Sequence, residues 1–350
     1  MTTNFPARYE EVSILGQGGG GQVWEVRDRL TGENVALKVL TEGASTQQVQ
    51  ALVREAVTLS GLEGLGVPKV LRFGRLPANR RPYLIRELVQ GRSLLSILNS
   101  AKPKAIPCLQ TVVQTADQLT GLHRASLLHG DIKPANIIVS DDGTSTLVDL
   151  GLAAPWRKGG TRPEGLTPQY AAPELFSGMP LTVRAEIFAL GATIRDLLDA
   201  CEDQLDLPVR KALRKVAERA THHDPTQRHP SADEVGSAIR HAAQLPTSSP
   251  VAVGLAWPVV GVDAPANRLL SQIATLVRGS VVALTGKPGS GRSVLLRKLA
   301  WTLGIEGRDV AWVQDDAEHW MEALQLELDA YPDLDGVVLL VDGAENLPKE

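Results

Sequence analysis

The chain has 350 residues, enough for two domains at ~100–200 residues each. Lysine and arginine number 36 against 40 aspartates and glutamates, a net charge of −4, which excludes the clustered basic surface a nucleic-acid grip needs. A hydrophobic content of 43% excludes a disordered chain, and with 4% aromatics the core has to be built from Leu, Val, Ile and Ala.

In chain order, residues 9–15 and 23–27 read as strands flanking a glycine run, and residues 34–40 as a third strand after a Thr31-Gly32 turn. Residues 45–62 read as a helix: Ser45 and Gln48 have capping-box spacing, and Val49, Leu52, Val53, Ala56 and Leu59 recur on one face. From about residue 105 the pattern is mostly helical. Pro107 suits a first turn, and residues 183–198, 209–220 and 232–243 are further helices. Residues 244–258, rich in Pro and Ser, read as a linker. Beyond it the pattern changes to an apolar strand at 281–285, a glycine turn, a helix at 294–303 and a buried strand at 337–341.

The longest apolar stretch, residues 251–262, is too short to cross a bilayer and contains Pro258. The N-terminus lacks a secretory apolar core. Cys108 and Cys201 supply neither a disulfide framework nor metal-site spacing. A soluble cytoplasmic protein with no membrane span and no nucleic-acid partner is expected.

Gly16-Gln17-Gly18-Gly19-Gly20-Gly21-Gln22-Val23 would let backbone N–H groups approach phosphate oxygens, although a flexible loop fits such a run equally well. Lys38, inside the apolar strand Val35-Ala36-Leu37-Lys38, needs a partner if buried, and Glu55 on the following helix is the natural one. In His129-Gly130-Asp131-Ile132-Lys133-Pro134-Ala135-Asn136, Asp131 can accept a hydrogen bond from a substrate hydroxyl. Lys133 can neutralise a phosphoryl group, and Asn136 can reach a metal ion. Asp149-Leu150-Gly151 adds a hard carboxylate ligand of the kind Mg2+ prefers. Singly these are ordinary loop residues; in this order they match a whole signature set.

On these motifs residues 9–243 resemble the Hanks-type (bacterial eukaryotic-like) serine/threonine protein kinases. Ala172-Pro173-Glu174 and the late Arg228, which would pair with Glu174, extend the match. The resemblance implies an α+β bilobal protein kinase fold, with an N-lobe at about 9–88 and a C-lobe at about 89–243. It implies ATP and Mg2+ as cofactors, with Gly16, Gln17, Gly18, Gly21, Val23, Ala36 and Lys38 around the nucleotide. Glu87 and Val89 would be the hinge holding adenine by its backbone, and Asn136 and Asp149 the metal ligands. Asp131, Lys133, Lys38 and Glu55 would be the catalytic set. Lys133 and Thr167 resemble the serine/threonine branch, so the expected partners are proteins with Ser/Thr acceptors, autophosphorylation included.

The chain departs from the pattern at several places. Gly130 stands where an arginine usually receives an activation-segment phosphate, so weak dependence on phosphorylation of Thr161 or Thr167 is expected. Arg86 stands at an apolar gatekeeper position and must find a carboxylate or reach water. Glu186 replaces an aspartate, and the connection at 199–208 is short, which puts the docking of protein substrates in question.

Residues 259–350 resemble a partial α/β P-loop NTPase-like domain of AAA type, a second domain after the linker. Gly286, Gly291, Arg292 and Ser293 fit a phosphate-binding turn except that Arg292 replaces lysine, and Asp342 would face a metal. Gly343 follows where a water-activating glutamate is usual, Glu345 is out of step, and the sequence stops at Glu350, so the module is read as partial and hydrolysis is not expected. A nucleotide-silent remnant and a nucleotide-binding module both remain open, as does a regulatory partner for it.

His222 and His223 read as a solvated helix end rather than metal ligands, and Trp301, Trp312 and Trp320 as packing residues. The leading functional reading is a serine/threonine protein kinase. Its rivals are a pseudokinase-like nucleotide-binding scaffold signalling through the C-terminal module, and a working ATPase in that module.

Overall fold

Alternating side chains and tight turns make the N-terminal segment a sheet, and helix-period patterns make the middle of the chain a helical body. The computed structural model describes residues 5–18, 21–60, 66–155, 165–246, 263–287, 289–313, 320–331 and 333–343. In chain order the longer elements and the short strands are β1 (Tyr9–Gly18), β2 (Gly21–Asp28), β3 (Asn34–Leu40), α1 (Thr46–Ser60), β4 (Val70–Arg75), β5 (Pro82–Glu87), β6 (Arg92–Ser93), α2 (Leu94–Leu98), α3 (Ala105–Arg124), β7 (Leu127–Leu128), β8 (Ile137–Val139), β9 (Ser145–Leu147), β10 (Ala154–Pro155), α4 (Pro173–Phe176), α5 (Val183–Cys201), α6 (Leu207–Ala220), α7 (Ala232–Ala243), α8 (Asp263–Ile273), α9 (Arg292–Ile305), β11 (Val310–Val313), α10 (Trp320–Leu328) and β12 (Val338–Val341). The described residues within Met1–Ala56, Val70–Leu88 and Ala256–Glu350 form one compact unit, and those within Val57–Lys69 and Val89–Leu255 form another.

In the first unit five antiparallel strands run in the order β1-β2-β3-β5-β4. Period-2 alternation sorts their side chains onto two faces. One face carries Tyr9, Val26, Val35, Leu37, Val39, Tyr83 and Ile85, all buried in one cluster with Leu76, Phe5 and Trp24. Burying each of its larger aliphatic side chains contributes about 1.5–3 kcal/mol. Lys38 alternates onto the other face, with Ala36 and Arg86. Helix α1 starts at the expected capping box: the Gln48 amide donates to Ser45 Oγ at 3.3 Å, and Gln48 Oε1 accepts from the Ser45 amide at 2.7 Å.

The same unit contains the C-terminal segment, with α8, α9, α10 and the parallel pair β11–β12. Two expectations change here. Residues 281–285 are not a strand: they pair with no described strand, and Val281 is 90% exposed. An apolar run without a ladder partner leaves its backbone groups to water, so pattern alone does not make it a strand. Conversely β11 is fully buried between elements and was not expected.

In the second unit α3 buries Leu109, Val112, Ala116, Leu119 and Leu122 and packs on α5 and α7. The small sheets β6-β8-β9 and β7-β10 frame the loop between α3 and α4. Helix α5 runs on to Cys201, and a single 3-10 turn, Glu202–Gln204, bridges it to α6. Of the expected linker, residues 247–258 lie outside the described residues.

Candidate active site

In the first unit the β1–β2 hairpin pairs Gln17 with Gln22 and Gly18 with Gly21; Gly19 and Gly20 lie outside the described residues. Close approach fixes one glycine: a Cβ on Gly21 would lie 2.3 Å from the Val39 carbonyl oxygen. Val23 lies directly opposite Lys38, so the glycine hairpin ends beside the lysine. Lys38 Nζ donates to Glu55 Oε2 at 2.6 Å. Glu55 is fully buried, and its Oε1 has no hydrogen-bond partner among the described residues. The ammonium is thereby held to one position along β3, as the sequence pattern predicted.

Ala36 lies opposite Arg86 and Val35 opposite Glu87, the last residue of β5. Arg86 meets the sequence expectation only in part. It is 8% exposed, and its Nε and Nη1 have no hydrogen-bond partner among the described residues. Strands β3 and β4 flank its backbone on both sides, and Nη2 is the one guanidinium nitrogen not left orphaned in the interior.

In the second unit the loop after β7 gathers Asp131, Lys133, Asn136 and Thr167. Lys133 Nζ donates to Asp131 Oδ2 at 2.6 Å and to Thr167 Oγ1 at 3.0 Å. Thr167 Oγ1 donates to Asp131 Oδ1 at 2.8 Å. Asn136 Nδ2 donates to the Asp131 carbonyl at 2.8 Å and to Asp131 Oδ2 at 3.0 Å. Both carboxylate oxygens of Asp131 are thus fixed, and Asn136 keeps its Oδ1 as a hard oxygen ligand. The Val148 amide donates to the Asn136 carbonyl at 2.9 Å, which sets Asp149 beside this loop. Asp149 has φ 66°, a left-handed conformation that costs a non-glycine residue about 1–3 kcal/mol and marks functional turns. Val89 follows β5 in this unit and is half-buried.

The motif marks Glu186 as a support for the catalytic loop, but its partners were not legible there. Glu186 on α5 is 2% exposed; its Oε1 accepts the Gly130 amide at 2.7 Å, and its Oε2 lies 2.7 Å from His123 Nε2 on α3. One carboxylate thus joins α3 to the loop that carries Asp131. Gly130 itself has φ +87°, and a Cβ there would lie 2.3 Å from the Leu152 carbonyl oxygen. The glycine is therefore more than a missing arginine, because this backbone has no room for any side chain. A positive φ cannot be read from one residue letter, although a glycine beside the catalytic aspartate is the signal to look for.

Arg228 is completely buried and donates to both Glu174 oxygens, at 2.7 and 2.8 Å. Its other N–H groups reach the carbonyls of His222, Arg184 and His223. All five donors are satisfied, and the guanidinium lies 5.0 Å from the centre of the Phe188 ring. The Tyr170 hydroxyl donates to Asp196 at 2.5 Å, and burial with that contact pushes its pKa up. Thr161 lies outside the described residues.

The model of the protein kinase domain matches residues 9–236. The chain belongs to the protein kinase family. It is 32% identical over 201 residues to the DNA damage-responsive serine/threonine-protein kinase RqkA of Deinococcus radiodurans, covering 55% of this chain and 30% of that protein. It is 32% identical over 193 residues to the serine/threonine-protein kinase PknA of Mycobacterium tuberculosis, covering 53% of this chain and 45% of PknA. With PknE of the same species it shares 34% over 196 residues, 53% of this chain and 33% of PknE. The chain thus spans less than half the length of the curated relatives it matches. The sheet of β1 to β5 is the kinase N-lobe and the helical body around α3, α5, α6 and α7 the kinase C-lobe, and residues 237–350 lie beyond the family match.

In the C-terminal segment, α9 begins at Arg292, with Gly289 and Gly291 at φ +78° and +83° in the turn before it, and Asp342 follows β12. Arg292 and Ser293 lie in the first turn of α9, and a Cβ on Gly286 would lie 2.6 Å from Ser290 Oγ. Trp312 is buried as a packing residue; the Trp301 side chain and Glu345 lie outside what is described. His222 and His223 are exposed, and no metal-site group of three or more His, Cys, Asp or Glu side chains occurs among the described residues.

Proposed function

We propose that the chain is an ATP- and Mg2+-dependent serine/threonine protein kinase. The observation that carries this reading is the Asp131 cluster, in which one carboxylate is immobilised by a lysine, a threonine and an asparagine. In the proposed reaction the acceptor hydroxyl oxygen bonds to the γ-phosphorus and the bond to the β–γ bridging oxygen breaks, leaving ADP. The hydroxyl proton passes to Asp131. Lys133, already between Asp131 and Thr167, sets its positive charge against the transferring phosphoryl group. Lys38, held by Glu55, presents a second cation to the nucleotide phosphates, while Gly16, Gln17, Gly18, Gly21, Val23 and Ala36 flank it and Glu87 and Val89 offer backbone to the base. Positioning and charge neutralisation supply the catalysis.

Asn136 Oδ1 and the Asp149 carboxylate fit Mg2+, which takes hard oxygen ligands and completes its shell with phosphate oxygens and waters rather than a protein cage. Bound there, the ion would neutralise phosphate charge. The test is phosphate transfer from Mg-ATP to a generic basic protein, with ATP binding measured alongside. Asp131→Asn is expected to lower transfer about 10²–10⁴-fold while binding persists. A wild-type chain that binds ATP and transfers nothing would instead be a nucleotide-binding scaffold.

The same proposal reads residues 259–350 as a partial P-loop-like module of α/β type. The parallel β11–β12 pair and the glycine turn that opens α9 support it. Gly286, Gly291, Arg292, Ser293 and Asp342 would form its phosphate site, and loss of nucleotide binding in Arg292→Ala, with the kinase site intact, is its test. Protein substrates, a regulatory partner of this module and a cytoplasmic setting belong to the same reading. Two free buried cysteines suit a reducing compartment, and no helix among the described residues is long and apolar enough to cross a membrane.

A further inference from the structure

The sheet that carries Lys38 has a second face, and the C-terminal segment lies against it. Strand register puts Arg72 of β4 opposite Ile85 of β5, Ile85 opposite Leu37 of β3, and Leu37 opposite Trp24 of β2. Arg72 therefore shares the face of the buried Leu37–Ile85–Tyr83 cluster, away from Lys38. Its guanidinium meets Glu327 of α10, and its Nη2 donates to the Val310 carbonyl of β11 at 2.9 Å. The same carbonyl accepts the Tyr331 hydroxyl at 2.7 Å.

Glu327 is 1% exposed. Besides Arg72 it accepts from Arg8 Nη1 at 2.8 Å, while Arg8 grips Asp28 with two bonds of 2.8 and 2.7 Å. Burial works against its charge, and the guanidiniums of Arg72 and Arg8 outweigh that, holding the carboxyl below the usual carboxylate range. Arg80 adds a bond to Asp309 at 2.6 Å. At β4, Gly304 of α9 approaches so closely that a Cβ would lie 2.9 Å from the Phe73 carbonyl oxygen. One carboxylate thus joins the start of β1, the edge strand β4 and the α10–β11 layer.

We infer that Glu327 is a positioning residue for the kinase site: by clamping Arg72 and Arg8 it docks the C-terminal segment on the N-lobe sheet and fixes the strand that aims Lys38. A buried ion pair adds little net stability against a well-packed apolar substitute, but removing one partner leaves an uncompensated charge. The pairing therefore specifies where the segment sits. From there the route to Lys38 is short and close-packed. Arg72, Ile85 and Leu37 form one cross-strand row, Ile85 and Leu37 are buried to within 1%, and Lys38 is the next residue. A packed row transmits a displacement rather than absorbing it.

This inference rests on the reading of the chain as a kinase, so the experiment carries a readout independent of phosphate transfer. The full chain, Glu327→Gln, Glu327→Ala and the double variant Arg72→Met with Glu327→Met are compared for KM and kcat with Mg-ATP. Amide hydrogen exchange is followed over β3 and β5 in each. Glu327→Gln and Glu327→Ala are expected to raise the KM for ATP about five- to tenfold. Exchange in β3 and β5 rises with it, while α3, α5 and α7 keep wild-type exchange. The double variant, apolar at 72 and 327 and with Arg8 still held by Asp28, is expected to restore both values. An unchanged KM and unchanged β3 exchange, with faster exchange only in residues 310–341, would overturn the inference. So would a double variant that redocks the segment yet keeps the raised KM. If the single variants fail to fold, the double variant decides. If the wild type transfers no phosphate, the kinase reading fails on its own, and β3 exchange still judges Glu327.

Discussion

Arg228 in the helical unit and Arg72 in the sheet unit each carry a carboxylate in the protein interior, but their chemistry is arranged in opposite ways. Around Arg228 the cation is deepest: it is fully buried and spends all five donors on Glu174 and three carbonyls. Around Arg72 the anion is deepest, and Glu327 gathers Arg72 of β4 and Arg8, which directly precedes β1. The first node closes a helical body on itself. The second ties a segment beyond the family match to the strands that hold Lys38. One stabilises a fold, whereas the other decides which surface a neighbouring segment occupies.

The sharpest way to break this contrast is Arg228→Lys. A lysine cannot reproduce the fork, so Glu174 and three carbonyls lose partners, and thermal or urea unfolding is expected to show a loss of about 3–5 kcal/mol. A loss under 1 kcal/mol would mean that the node is not what holds the helical unit. Next is Gly130→Ala. The positive φ and the clash with Leu152 predict a loss of stability of about 1–3 kcal/mol and a fall in phosphate transfer as Asp131 moves. Wild-type stability and activity in that variant would show that the loop adapts freely.

Arg86 sharpens the comparison from the other side, as a buried guanidinium with two nitrogens, Nε and Nη1, unmatched. Arg86→Met is expected to raise stability by about 1 kcal/mol in an unfolding titration, because it removes unpaired polar groups from the interior. A destabilised variant would reveal a partner for Arg86. The smallest effect is expected from Thr161→Ala. Without an arginine beside Asp131 to receive an activation-segment phosphate, its transfer rate should stay within about twofold of wild type. A large loss restored by Thr161→Glu would contradict that.

Much of the site was legible because its chemistry sits in short, ordered motifs. Lys38 inside an apolar strand required an acid, and Glu55 one helix later provides it. Asp131, Lys133 and Asn136 lie within six residues, and Arg228 found Glu174 over a separation of 54 positions only because both belong to known motifs. What stayed hidden depends on backbone conformation or long range. The φ of Gly130 and the reach of Glu186 to His123 leave no pattern in a single sequence. Glu327 and Arg72 are 255 positions apart. The only hint was an acidic residue on the apolar side of Ala-Leu-Gln-Leu-Glu-Leu. The four-residue β11 is too short for periodicity to identify, and residues 281–285 had the pattern of a strand without a partner to pair with.

The central claim is that Asp131, held by Lys133, Asn136 and Thr167, receives the proton of a Ser/Thr hydroxyl as phosphate arrives. Intact-mass and peptide mass spectrometry of the full chain after incubation with Mg-ATP tests it most directly, with Asp131→Asn run in parallel. The account predicts added phosphate on Ser or Thr in the wild type and almost none in the variant. Equal phosphorylation of both, or phosphate on neither while ATP binds to both, would contradict it.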